Sequence, residues 1–173
     1  HVVLLELIID PTCSIVLERQ PAETDIMDRK PRNPKEKLLN AGIFTKSIIQ
    51  GLIIFIASFG TYFTMLGGNP DNAPLARAMG ISIIMLSNLF LVMVNSSDQE
   101  FAFQSITRLV KDKVMWEVNI FTVLGLLIIL YTPINHYLKF EPLSASQFFG
   151  AVGIAAVAVL WYEIVKLIKK IIK

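Results

Sequence analysis

The sequence predicts an all-α integral membrane protein, a bundle of one partial and four complete transmembrane helices. Three observations predict it. Hydrophobic residues make up 54% of the 173 and charged residues only 17%, against about 25% charged in an average soluble domain. The charges also leave long gaps. Residues 47–67, 80–97, 118–138 and 142–162 contain no Asp, Glu, Lys or Arg, and each run approaches or exceeds the roughly 20 residues that a helix needs to cross a bilayer. Finally, the basic residues alternate from one connection to the next. Of the 16 Lys and Arg, 14 fall in segments 18–46, 95–117 and the C-terminal end, and only Arg77 and Lys139 fall in the two connections between. The positive-inside rule then places the first group in the cytoplasm, C-terminus included, and 67–77 and 135–147 outside.

Residues 1–17 are the partial helix. The apolar run is already under way at His1 and no Met opens the chain, so we expect a piece of a longer protein with helices missing before it. This segment carries the most telling local pattern, Glu6-Leu-Ile-Ile-Asp10-Pro11, with no other charge up to Leu17. In a helix, Glu6 and Asp10 lie one turn apart on one face. Pro11 has no N–H, which frees the carbonyl of Leu7. Two carboxylates and a free carbonyl in one turn suit a hard cation, and an ionisable residue inside a membrane is a candidate functional site. A carboxylate pair inside a membrane can also carry protons, so proton exchange is an alternative use of this site.

Residues 18–41 form the longest connection, punctuated by Pro21, Pro31 and Pro34. Residues 42–173 form a four-helix support region. Its first outer loop is marked by Gly67-Gly68-Asn69-Pro70, and its second is bracketed by Pro133 and Pro142. Trp116, Tyr131, Tyr137, Trp161 and Tyr162 stand near segment ends, where amphipathic rings favour the headgroup level. The terminal lysines from Lys166 to Lys173 read as snorkelling residues of a helix end. Glu117 and Glu163 read as interfacial, and Gly51 and Gly60 as points of close helix approach or bending. In the third crossing Asn88, beside Ser87, is the central polar group: a third candidate ligand or an interhelical hydrogen-bonding residue. The single Cys13 has no disulfide partner or metal-site spacing. His1 and His136 are isolated, and a net charge of +2 gives no footprint for nucleic acid.

Pro21 followed by Asp25-Ile-Met-Asp28-Arg29-Lys30-Pro31-Arg32 resembles the loop after the sixth transmembrane helix of P-type cation-pumping ATPases, the calcium pumps especially. The Leu38-Leu39 and Gly42 entry to the next helix, Asn95-Ser96, and Tyr162-Glu163-Ile164-Val165-Lys166 are similar to later parts of the same family, in the same order. The resemblance implies the sixth to tenth helices of such a pump. It implies that Mg-ATP is handled by missing cytoplasmic domains, since no Asp-Lys-Thr-Gly motif occurs here. It also implies a cation ligand at Asp10. Glu6 stands where calcium pumps have Asn, and Ile9, which cannot ligate, stands where they have Thr. This set permits one divalent cation, calcium favoured, or a proton-coupled site. The chain is thus expected to be the membrane-embedded part of an ATP-driven cation pump, embedded in the lipid bilayer of the cell membrane. A fragment of a secondary transporter or channel would share the midplane carboxylates, and a non-transporting scaffold would share the four charge-poor crossings, but neither accounts for residues 25–32.

The topology yields a first prediction. Single cysteines at Asn72 and Ser144 react with an impermeant thiol reagent added outside, and one at Ser97 does not. External labelling at Ser97 would remove the five-crossing arrangement.

Overall fold

The computed structural model describes residues 41–95 and 113–172 without interruption, together with Val3, Leu5, Glu6, Ile8, Ile9, Ser14, Ile15, Glu18 and Met27; for residues 113–115 and 169–172 it describes the backbone alone. Every regular element among the described residues is helical. Helix α1 spans Ala41–Leu66, α2 Ala73–Asn95, α3 Lys113–Tyr131, α4 Ile134–Tyr137 and α5 Ala145–Ile172, with a 3-10 turn at Pro70–Asn72. Val3, Leu5, Glu6, Ile8 and Ile9 are also helical. This is the all-α membrane bundle expected. Stretches Ala41–Leu66, Pro70–Asn95 and Ala145–Ile168 are each long and apolar enough to cross a membrane, and Trp116–Tyr131 is a shorter apolar helix. With its polar first turn, the 19 residues of α3 extend about 28 Å, close to the thickness of a hydrocarbon core.

Helix α2 is the central element. Eleven of its residues are buried, whereas α1 buries only Gln50 and Ser58. The apolar side chains of α1 point outward instead: Phe55, Ile56, Phe59 and Phe63 are all exposed, and Phe59 stacks on Phe55 at 5.2 Å and meets Phe63 edge-on at 4.8 Å. A helix with its polar groups inside and its aromatic groups outside is suited to an apolar solvent, not to water. The main core joins Met79, Ile83, Met85 and Leu86 of α2 to Leu126 and Leu130 of α3 and to Ala151 and Ala155 of α5. The two alanines, one turn apart, are fully buried and let the α5 backbone come close to α2, which is how helices associate without a hydrophobic drive between them.

Helices α1 and α2 approach closely at Gly80. Ser58 Oγ donates to the carbonyl of Gly80 at 3.0 Å, and a Cβ placed on Gly80 would stand 3.4 Å from that oxygen. Gly80 is therefore the close-approach glycine. Gly51 and Gly60, which the sequence suggested, have no neighbour within 4 Å of such a Cβ. The antiparallel turn between α1 and α2 is made by Gly67 and Gly68, at φ 54° and 76°, with the Asn69 side chain accepting from the N–H of Asp71 at 3.1 Å.

Helix boundaries depart from the charge-free runs in two places. Helix α2 begins at Ala73, well before residue 80, because Arg77 belongs to the helix and not to the loop; its Nη1 donates to the carbonyl of Lys139 at 3.3 Å. The run 118–138 is not one helix. Pro133 cannot donate a helical hydrogen bond, so α3 stops at Tyr131 and the chain turns into the four-residue α4. Asn135 Nδ2 donates back to the carbonyl of Leu130 at 3.1 Å, satisfying one of the orphan acceptors at the end of α3. Helix α4 closes in a Schellman motif: Lys139 takes φ 52°, its N–H reaches the carbonyl of His136 at 3.2 Å, and that of Phe140 reaches Asn135 at 2.8 Å. The motif turns Phe140 and Leu143 into the core, where Tyr131 Oη donates to the carbonyl of Leu143 at 2.7 Å. Ser144 and Gln147 then make a reciprocal capping box for α5, with the Ser144 N–H on Gln147 Oε1 at 2.8 Å and the Gln147 N–H on Ser144 Oγ at 3.3 Å.

The Ser58–Gly80 contact is testable in the full-length polypeptide carrying this chain. Ser58→Ala removes one interhelical bond and is expected to cost about 0.6 kcal/mol, whereas Gly80→Leu forces α1 and α2 apart and costs about 1–3 kcal/mol. Thermal unfolding in detergent reads both; equal melting temperatures for wild type and Gly80→Leu would refute the close approach.

Candidate cation site

The N-terminal helical residues sit on the core. Leu5, Ile8 and Ile9 are partly buried against the cluster formed by α2, α3 and α5, and Glu6 is exposed on the other side. Among the described residues of this segment, Leu5, Ile8 and Ile9 thus contact the bundle while Glu6 and Val3 are exposed. Asp10 and Pro11 lie outside the described residues, as do residues 25, 26 and 28–32 of the loop motif.

Asn88 is half-buried on α2. Its Nδ2 donates to the carbonyl of Ile84, one turn back, at 3.0 Å. The bond lies within α2 and is not the interhelical one that sequence reasoning allowed. Because the amide nitrogen is used, the Oδ1 oxygen is presented as an acceptor. Ser87 beside it is fully buried, and its Oγ has no hydrogen-bond partner. Two adjacent residues at the middle of the central helix thus carry unmet oxygen capacity in a region that is otherwise apolar. The described residues do not join Asn88 to Glu6 in one cluster, and among them no group of three His, Cys, Asp or Glu could hold a metal ion.

Among the described residues a polar assembly lies at one end of the bundle, and it changes the reading of Lys166. Lys166 does not snorkel. It is 7% exposed, and its Nζ donates to the carbonyl of Val94 at 2.6 Å and pairs with Glu163 at 3.0 Å. Val94 belongs to the last turn of α2, whose carbonyls have no intrahelical partner. The ammonium therefore caps α2 from another helix and complements the negative end of its dipole. Glu163 and Lys166 are three residues apart on α5, in the favourable order with the acid first. Beside them the side-chain amides of Gln50 and Asn95 exchange hydrogen bonds at 3.4 and 3.3 Å, and Lys46 lies 4.6 Å above the Tyr162 ring. Helices α1, α2 and α5 are thus tied at one end by polar contacts, about 9 Å along α2 from Asn88. The sequence offered one signal for this: Glu163 and Lys166 at helical spacing immediately after a charge-free run.

Residues 1–168 match the family described as "Cation transporting ATPase, C-terminus". The chain belongs to that family. Among its relatives, the calcium-transporting ATPase of Bacillus subtilis (strain 168) is 26% identical over 92 residues, which is 53% of this chain and 10% of the relative. The sodium/potassium-transporting ATPase subunit alpha-1 of Catostomus commersonii is 39% identical over 82 residues, 46% of this chain and 8% of the relative. The calcium-transporting ATPase type 2C member 2 of Rattus norvegicus is 21% identical over 171 residues, 98% of this chain and 18% of the relative. The chain thus spans less than a fifth of the length of these cation-transporting ATPases. The resemblance in residues 25–32 and at the later helix ends leads to the same family.

The Lys166 assembly gives a prediction for the ATPase C-terminal bundle. Lys166→Met leaves the Val94 carbonyl and the Glu163 carboxylate without their partner and should lower stability by about 3 kcal/mol. Adding Glu163→Gln should restore part of that loss by removing the stranded charge. Chemical unfolding in detergent measures both steps, and an additive double variant would show that the two side chains are not coupled.

Proposed function

We propose that this chain supplies part of the ion site and the supporting helices of an ATP-driven cation pump in the cell membrane, with calcium or another divalent cation as the transported ion. The observation that carries the proposal is the pair Glu6 and Asp10, two carboxylates four residues apart in an otherwise uncharged apolar stretch, within a chain of the cation-transporting ATPase family. Asp10, the Leu7 carbonyl that Pro11 releases, and Asn88 Oδ1 are all oxygens, the donors that hard cations take. Glu6, the second carboxylate of the pair, is the candidate for proton exchange. Phosphorylation and Mg-ATP binding belong to domains outside this chain, and the lipid bilayer and those domains are its partners. The sodium/potassium-transporting relatives make a monovalent cation the competing assignment.

In the full-length polypeptide, Asp10→Asn keeps the volume but removes a charge that offsets that of the cation. Cation-stimulated phosphorylation from ATP should be lost or severely weakened, with calcium, sodium and potassium each tried as activator. Glu6→Gln should change the pH dependence or the apparent affinity, and Glu117→Gln should leave affinity nearly unchanged. Activation of the Asp10→Asn variant at unaltered cation concentration would place the site elsewhere.

A further inference from the structure

We draw no further inference here: the strongest candidate, the buried and unpartnered Ser87 hydroxyl beside Asn88 at the middle of α2, belongs to the candidate cation site already described.

Discussion

Both long neighbours of α2 reach its main chain. Ser58 of α1 donates to the carbonyl of Gly80 near one end, and Lys166 of α5 donates to the carbonyl of Val94 near the other. Contacts of this kind require the helix axes to be close, which in turn requires small residues where the backbones meet. Gly80 meets that need on the α1 side and Ala151 and Ala155 on the α5 side. Where the surroundings are as apolar as the helix surfaces, burial alone gives little preference for one packing over another. Hydrogen bonds to backbone carbonyls and close van der Waals contact then set which helices are neighbours and at what level.

The two ends of the bundle are built differently. At the end with the loop 132–144, the chain is closed by main-chain motifs: the Pro133 break, the Schellman turn at Lys139 and the capping box at Ser144. At the other end, side chains from three helices lock together around Lys166, Glu163, Gln50 and Asn95. The second arrangement places charged and amide groups within two turns of Asn88.

Much of this was legible in the sequence. Charge-free runs gave the membrane class and the number of apolar helices, because a bilayer excludes charge over a length set by its thickness. Residues 25–32 gave the family resemblance. The candidate ligands were legible as chemistry, since Glu6 and Asp10 are anomalous in an apolar stretch whatever surrounds them. Helix ends were less legible. Arg77 hid the first turns of α2 because a charge looks like a loop until its partner, the Lys139 carbonyl, is known. The run 118–138 concealed a break because apolar loop residues such as Leu138 and Phe140 bury themselves as helix residues do.

By itself, the sequence determined composition-driven features: the all-α membrane class, the alternation of basic connections, the carboxylate pair beside a proline and the family. These are local or additive, so they survive in a one-dimensional string. Tertiary structure alone decided which polar groups meet. Lys166 became a buried cap on α2 and not a snorkelling lysine, Gly80 and not Gly51 or Gly60 became the close contact, and Asn88 turned its amide along its own helix. Each outcome depends on a partner 22 or 72 residues away, or on the orientation that packing gives to one face of a helix. Spacing within a sequence fixes the faces of a helix, but not which neighbour each face will find.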